Sequence, residues 1–324
     1  MSKLAIGIDI GGTKISMVLG TSSGKILARR VISTQTGAQT RSCLNELIQN
    51  IKLLLNGSSR VKKQILGMGV GLPGPVDSKK GIVPRSPHLG GWEGIPLRKL
   101  LLKALGLPVM LANDANAAVI GEKVFGQGRG AKNFIYMTIS TGIGGGLVVN
   151  GQLVEGTSYV GGEVGHMTIV ASGDPCKCGK KGCLEAYASG TAIARFVENE
   201  IQRGQSSKIP SFAGKGNKVA AREVGLAAKA GDRLALEAYC RAGFYLGIGI
   251  ANLLNILNPE IIILGGGVLK SAPRLFWQSM LQSCQRDAWP QAWRAVQVRR
   301  TKLGDRVGDL GALALVFEKH ALSP

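Results

Sequence analysis

The residues with the most distinctive chemistry lie between positions 163 and 185. Three of the six cysteines, Cys176, Cys178 and Cys183, fall within eight residues, and His166 lies ten positions before the first of them. Three thiolates and one imidazole form the closed ligand set that holds structural zinc. Three unrelated thiols, or a disulfide with one spare cysteine, are the alternative. We expect a structural and not a catalytic zinc, because four protein ligands would leave no coordination position for water.

Two carboxylates flank this cluster. Glu163 precedes His166 by three residues, and Glu185 follows Cys183 by two. A metal that fixed the imidazole would therefore bring both carboxylates near it. This arrangement predicts that the metal holds a substrate pocket in shape.

A glycine turn near the start of the chain has the features of a phosphate site. Alternating apolar residues lead to Asp9 and then to Gly11-Gly12-Thr13-Lys14, after which a second apolar segment follows. The pattern predicts a β-hairpin whose tip exposes backbone N–H groups, which a phosphate can approach closely where no Cβ intervenes. Asp9 could hold Mg²⁺ and the Thr13 hydroxyl could bond a phosphate oxygen. An ordinary hairpin turn is the alternative.

The same design recurs about 130 residues later. Residues 133–149 read as a strand, a glycine-rich tip with Thr141, Gly142 and Gly144, and a returning strand. Two such hairpins indicate an internal duplication, with two like domains facing one nucleotide.

Other strand ends also carry candidate residues. A short strand at 109–112 leads into Asn113 and Asp114, at a position where open α/β sheets place their chemistry. Asp114 could equally be a helix N-cap. A later buried strand ends in glycines that leave room for a flat adenine or ribose: Gly265, Gly266 and Gly267.

The spacing of Gly69, Gly71 and Gly74 matches a dinucleotide-binding motif, but its context does not. Prolines flank the third glycine, and no helix is predicted where a pyrophosphate would need a helix N-terminus. We interpret 71–77 as a rigid turn that presents the backbone around Gly74 to a ligand.

Length and composition favour a folded protein of two domains. The chain has 324 residues, of which 45% are hydrophobic and 19% charged. A net charge of +20 favours anionic partners. Basic runs are at most two residues long and aromatics make up only 5%, so nucleic acid is an unlikely partner and a diffuse positive surface is expected.

The pattern also favours a cytoplasmic protein without a membrane span. The N-terminus lacks the features of a signal peptide, and polar residues interrupt the weakly charged stretch 244–270, which reads as a buried helix and a strand. The remaining cysteines are scattered, as in a reducing compartment. Helical spacing occurs at 44–55, 97–105, 191–203, 220–230, 233–257 and 308–320.

Taken in order, these motifs resemble the ROK family of bacterial sugar kinases and related repressors. The resemblance rests on the D-x-G-G-T turn, the Asn-Asp after a strand, T-G-x-G-G-G, E-x-G-H, C-x-C-G-x-x-G-C-x-E and the late glycine triplet. It covers nearly the whole chain. It implies an α/β, actin-like (ribonuclease-H-like) ATPase fold with two domains closing over ATP and a hexose. The first domain would contain residues 1–120 and the C-terminal helix 305–324, and the second would contain residues 121–304.

The resemblance also implies a role for each candidate residue. Asp114 would be the catalytic base, Asn113 would contact a sugar hydroxyl, and His166 would use one ring nitrogen for zinc and one for sugar. Glu163 and Glu185 would complete the sugar site, near the Gly74 turn. The nucleotide and its Mg²⁺ would be held by two phosphate motifs and an adenosine side: Asp9, Gly11, Gly12, Thr13 and Lys14; Thr141, Gly142 and Gly144; Gly265, Gly266 and Gly267.

We therefore expect an ATP-dependent kinase that phosphorylates the 6-hydroxyl of glucose or a related hexose, with a homodimer as the family default. Family glucokinases often carry Asn where this chain has His88, so the hexose stays open. N-acetylhexosamine, mannose and fructose are alternative substrates, and polyphosphate is an alternative donor. A sugar-responsive repressor is disfavoured, because Asp9 follows only eight residues and leaves no space for a helix-turn-helix.

Overall fold

The computed structural model describes residues 3–55, 63–84, 89–213 and 219–321; His88 lies outside them. The chain divides into two compact units. The first contains residues 1–131, 146–162 and 301–324, and the second contains residues 132–145 and 163–300. A boundary at residue 120 would cut a helix that runs to Phe125, and the first unit accordingly extends to Ala131.

Within the described residues, ten strands form two five-stranded sheets. The strands are β1 (Leu4–Ile10), β2 (Lys14–Thr21), β3 (Ile26–Ser33), β4 (Ile65–Leu72), β5 (Val109–Asn113), β6 (Phe134–Ile139), β7 (Ile143–Val149), β8 (Gln152–Leu153), β9 (Ile261–Gly265) and β10 (Gln297–Arg300). Their orders are β3-β2-β1-β4-β5 and β10-β9-β6-β7-β8. Read from β8, the second sheet repeats the order of the first, which fits the predicted duplication.

Helices connect the strands, and five of them follow one another between β8 and β9. They are α1 (Thr40–Leu54), α2 (Leu97–Leu105), α3 (Asp114–Phe125), α4 (Glu185–Ala188), α5 (Gly190–Gln202), α6 (Ile209–Ala213), α7 (Ala221–Lys229), α8 (Arg233–Leu257), α9 (Val268–Ser271), α10 (Arg274–Asp287), α11 (Pro290–Ala295) and α12 (Val307–Ala321). In the first unit β1 runs antiparallel to β2 and parallel to β4, and β4 is parallel to β5. The carboxyl ends of β1, β4 and β5 therefore share one edge of the sheet.

Glycines let α12 pack closely on the first sheet. A Cβ added at Gly69 of β4 would overlap the Ala312 carbonyl oxygen, and one at Gly7 would lie 2.9 Å from the Asp309 carbonyl oxygen. A Cβ at Gly71 would lie 3.2 Å from the Ala117 Cβ of α3. Two of the three glycines in the apparent dinucleotide motif therefore serve helix–sheet packing.

The second unit is built around the apolar helix α8. A Cβ at Gly243 would overlap the Phe276 carbonyl oxygen of α10, and one at Gly247 would overlap the Met280 carbonyl oxygen, so these two glycines let the helix backbones approach closely. By length and composition alone α8 could span a membrane, although half of its most apolar window is buried inside the structure. Burial against α10 accounts for this apolar composition.

Candidate active site

The first glycine turn is a tight hairpin tip, as the sequence predicts. Ile10 lies opposite Ile15, and the Gly11 N–H donates to the Lys14 carbonyl at 2.9 Å. Thr34, just after β3, braces the tip: its hydroxyl donates to the Gly11 carbonyl at 2.7 Å, and its N–H donates to the Thr13 carbonyl at 3.0 Å. The bracing leaves Thr13 exposed at a fixed tip.

Asp9 lies at the end of β1 in an acidic environment. Burial, together with the nearby carboxylates of Asp309 and Asp114, raises its pKa to about 6 against the opposing effects of Lys14 and Arg29. A carboxylate with this surplus of negative charge around it is suited to a cation ligand, because a bound cation would remove the repulsion.

Asn113 and Asp114 lie where β5 passes into α3. Asn113 is the N-cap: its side-chain oxygen accepts from the Ala115 N–H at 2.9 Å and the Asn116 N–H at 3.3 Å. Its amide donates to the Gly74 carbonyl at 3.0 Å. The alternative that Asp114 is the N-cap is therefore wrong. Asp114 is the first helical residue, and its carboxylate accepts from the Ala115 N–H at 2.8 Å.

The turn after β4 is held from two sides. Gly74 adopts φ +92°, which favours glycine, and its carbonyl is fixed by the Asn113 amide. Asp77 accepts from the Lys80 N–H at 2.8 Å. Tyr159, which has the unusual φ of +61°, also bonds the Asp77 side chain through its hydroxyl. The turn is thus rigid, as the sequence predicts, and Tyr159 ties the 154–162 loop to it.

The second glycine tip, in the second unit, is closed by its own contacts. The Ser140 N–H donates to the Gly142 carbonyl at 2.8 Å, and the Thr191 hydroxyl donates to the Thr141 carbonyl at 2.8 Å. The Ile143 N–H donates to the Glu185 carboxylate at 2.8 Å. A Cβ at Gly142 would overlap the same carboxylate, so glycine is required there. Thr141 itself is exposed.

The late glycine triplet has two different roles. A Cβ at Gly265 would meet the Tyr136 hydroxyl, and Gly266, with φ +103°, lies against the Ile139 carbonyl oxygen. Packing on β6 therefore explains these two glycines. A Cβ at Gly267 would approach only the Ser140 hydroxyl oxygen, at 3.7 Å, so the space that the sequence predicts lies at Gly267.

The predicted metal ligands come together in the second unit. One ligand atom from each of His166, Cys176, Cys178 and Cys183 lies within 4.8 Å of the others. The Cys178 and Cys183 sulfurs are 3.7 Å apart, and the Cys176 sulfur is 3.7 Å from His166 Nδ1. Two sulfurs on one tetrahedral zinc would be about 3.8 Å apart, whereas a disulfide needs about 2.0 Å. All six cysteines are free, so the disulfide alternative is wrong.

His166 faces two partners. Its Nδ1 lies toward Cys176, and its Nε2 lies 3.9 Å from the Glu163 carboxylate. The imidazole thus has one nitrogen on the thiol side and one on the carboxylate side. A Cβ at Gly165 would overlap the Ile143 carbonyl oxygen, so the E-x-G-H turn must lie against β7.

Two residues with structural roles, Asp309 and Arg195, were not predicted from the sequence. Asp309 is 2% exposed and pairs with Arg29, whose guanidinium nitrogen lies 3.2 Å from the carboxylate. The available signal was an acidic residue among the small and apolar residues 307–317 of helix α12. Arg195 donates to the Pro175 carbonyl at 3.1 Å and to the Ala186 carbonyl at 2.7 Å, and no local pattern marked it.

Comparison with known proteins gives the family. The sequence profile of the ROK family matches residues 5–319. This chain belongs to the ROK family. It is 36% identical over 316 residues to a glucokinase of Halalkalibacterium halodurans, an alignment that covers 97% of this chain and 95% of that one.

A solved relative supports the fold. The ROK family glucokinase from Streptomyces griseus, in complex with glucose and AMPPNP, superposes with a TM-score of 0.80 at 31% identity, covering 97% of this chain and 99% of the other. ROK sugar kinases have the actin-like ATPase fold, and this ROK protein has it too. The predicted fold class is confirmed.

Regulators of the same family are also similar. A xylose repressor of Caldicellulosiruptor bescii is 31% identical over 312 residues, covering 96% of this chain and 77% of the repressor. The family alone therefore does not separate enzyme from regulator, and the separation depends on the site.

Proposed function

We propose that this ROK protein is an ATP-dependent hexose kinase that phosphorylates the 6-hydroxyl of glucose or a close relative. The observation that carries the proposal is the pair Asp114 and Asp9 at the carboxyl ends of parallel strands in one unit, close enough for Asp114 to raise the pKa of Asp9. One carboxylate would serve the acceptor and the other the phosphate. The glucokinase relatives support a hexose acceptor and an ATP donor.

Asp114 would act as the general base. Its backbone is fixed at the start of α3, where the side chain of the preceding residue, Asn113, caps the helix. One oxygen of its carboxylate accepts from the Ala115 N–H. The other oxygen would accept the proton of the attacking sugar hydroxyl as the new oxygen–phosphorus bond forms and the bond from the γ-phosphorus to the bridging oxygen breaks, releasing ADP. A positioned base contributes about 10²- to 10⁴-fold in rate.

The two glycine tips would hold the phosphates. Phosphoryl transfer has a loose transition state, so positioning and charge stabilisation provide most of the acceleration. Backbone N–H groups near Gly12 and Thr141, together with the Thr13 hydroxyl and Lys14, would hold the phosphate oxygens, and Gly144 would complete the second tip. Asp9 would hold Mg²⁺, which supplies positive charge to the phosphates when bound. Gly267 would give space to the adenosine.

The hexose would be bound by polar side chains from Asn113 and from residues 163–185. Glu163, His166 Nε2 and Glu185 would accept from or donate to sugar hydroxyls, with the second N–H of the Asn113 amide as a further donor. Glu185 already bonds the Ile143 N–H at 2.8 Å, so it would also connect the sugar to the second phosphate tip.

Zinc would be held by His166 Nδ1, Cys176, Cys178 and Cys183. The donor set fits, because the two 3.7 Å separations are close to those of a tetrahedral zinc complex. The metal would serve structure, by fixing the tautomer of His166 so that Nε2 carries a proton toward Glu163 or a sugar hydroxyl.

The proposal includes the hexose, the phosphoryl donor, the cellular compartment and the oligomeric state. Glucose leads because the similar enzymes are glucokinases, with mannose, N-acetylhexosamines and fructose as alternatives and ATP favoured over polyphosphate. We place the enzyme in the cytoplasm, where free thiols persist, and expect a homodimer. A sugar-responsive repressor is the second candidate because of the xylose repressor relatives.

A coupled assay over a hexose panel tests the proposal. Purified protein with MgATP or polyphosphate should give the highest kcat/KM with glucose and ATP. Absence of turnover with every hexose and donor, together with sugar-dependent operator binding that weakens with salt, would establish the regulator instead.

A further inference from the structure

A polar cavity lies on the second unit, between α5 and α8 and beside the cysteine knuckle (residues 174–183). Its volume is about 180 Å³. Its charged lining consists of three arginines and two acids: Arg195, Arg203, Arg241, Asp174 and Glu200. None of these residues has a role in the proposed kinase chemistry.

Within the part of the chain that the structure describes, Arg241 is held in place by aromatic rings and makes no hydrogen bond. Its guanidinium carbon lies 5.3 Å, 5.0 Å and 5.2 Å from the ring centres of Tyr187, Phe196 and Tyr245. Among the described residues its nearest charged partner is Asp174, at 3.8 Å, which is beyond hydrogen-bond distance. The guanidinium is therefore pre-oriented at the cavity with its N–H donors available.

The acids in the cavity do not balance the arginines. Glu200 is engaged by Arg203, whose NH1 donates to it at 2.7 Å. Asp174 alone serves both Arg195, at 3.3 Å, and Arg241, at 3.8 Å. Two guanidinium groups thus share one carboxylate oxygen, and among the described residues one of these two positive charges has no counter-charge of its own.

We propose that this cavity binds the phosphate group of a small metabolite, with Arg241 as its main ligand and Arg195 as the second. A guanidinium presents paired donors that match two phosphate oxygens, and stacking on aromatic rings removes the entropy cost of ordering it. The cavity is a site separate from the residues assigned to the nucleotide and the sugar.

The cavity is connected to the metal cluster. Arg195 bonds the carbonyl of Pro175, which precedes the ligand Cys176, and the carbonyl of Ala186, which follows Glu185. The Asp174 N–H donates to the Tyr187 hydroxyl at 2.6 Å. An anion that draws Arg195 and Arg241 away from Asp174 would act on the same backbone that carries the metal and sugar ligands, so the site is suited to regulation.

Calorimetric titration with inorganic phosphate tests the proposal. The full chain is saturated with glucose and a nonhydrolysable ATP analogue, so that the active site is filled. Wild type should bind one phosphate. Arg241→Met, which keeps the apolar packing, should weaken binding by at least about tenfold. Asn199→Asp adds a negative charge to the exposed rim of the cavity and should also weaken it.

Arg286→Ala is the matched control. Arg286 also stacks on a ring, that of Phe244 at 5.0 Å, but its guanidinium is already paired with both Asp287 oxygens at 2.6 Å. The Arg286→Ala variant should bind phosphate with the same affinity as wild type. The proposal is overturned if wild type binds no phosphate under these conditions, or if Arg241→Met and Asn199→Asp, both folded by circular dichroism, bind it as tightly as wild type.

Discussion

Replacing Asp9 by asparagine is expected to make the protein more stable at neutral pH while removing its phosphoryl transfer. Burial and the neighbouring carboxylates of Asp309 and Asp114 raise the pKa of Asp9 from 3.8 to about 6. A carboxyl whose pKa is higher in the folded than in the unfolded chain destabilises the fold once it ionises. The cost begins as the pH rises above 3.8 and is complete above about 6.

The size of the effect follows from the shift. A change of about 2 pKa units corresponds to about 3 kcal/mol of unfolding free energy above pH 6. This value is an upper limit, because the side chains of Lys14 and Arg29 can rearrange in the variant. Asparagine has nearly the same shape and carries no charge. The unfolding free energy of Asp9→Asn should therefore exceed that of wild type by up to this amount at pH 8 and by almost nothing at pH 4.

Urea unfolding of wild type and variant from pH 4 to pH 8 measures this difference, monitored by circular dichroism. Asp232→Asn is the control of opposite sign. Burial alone would raise the pKa of Asp232, but hydrogen bonds from the Lys208 N–H, the Ala235 N–H and the Ser207 hydroxyl lower it. Ionisation of Asp232 therefore stabilises the wild type, and Asp232→Asn should become less stable relative to wild type as the pH rises. If Asp9→Asn is less stable than wild type throughout, the acidic environment assigned to Asp9 is wrong.

Three further predictions concern the packing of the first sheet, the metal cluster and the turn after β4. Gly69→Ala should destabilise by at least about 3 kcal/mol, because the methyl group would overlap a carbonyl of α12, whereas Gly90→Ala, with open space around it, should change unfolding free energy by less than about 1 kcal/mol. Cys183→Ser should reduce bound zinc, measured by elemental analysis of the purified protein, and a chelator should lower the melting temperature of wild type but not of this variant. Tyr159→Phe removes the hydrogen bond to Asp77 and should raise the sugar KM several-fold with kcat nearly unchanged; an equal fall in kcat would show that the loop does more than position sugar.

Local sequence signals predicted the elements that local chemistry determines. The D-x-G-G-T turn gave the β1–β2 hairpin with Ile10 opposite Ile15, and the apolar run 233–257 matches α8 residue for residue. The Cys-x-Cys spacing predicted a cluster that the structure brings within 4.8 Å. In each case the chain contacts itself over a short distance, so periodicity and turn residues were sufficient.

Features that depend on distant contacts were not predictable in this way. Strand β3 was missed, because Arg29 and Arg30 interrupt its apolar alternation on the exposed side. Asp309 acquires its effect on Asp9 only when α12 packs on the first sheet. Asp114 was considered as the N-cap of α3, but Asn113 is the N-cap. The two residues are adjacent, and the sequence does not determine which of them is the first helical residue.

The central claim is that Asp114 removes the proton of the sugar hydroxyl. The direct test is Asp114→Asn, with hexose phosphate formation measured at saturating glucose and MgATP and glucose affinity measured by calorimetry on the same sample. The account predicts that kcat falls by about 10²- to 10⁴-fold while the glucose Kd stays within a few-fold of wild type. A kcat within tenfold of wild type would contradict it.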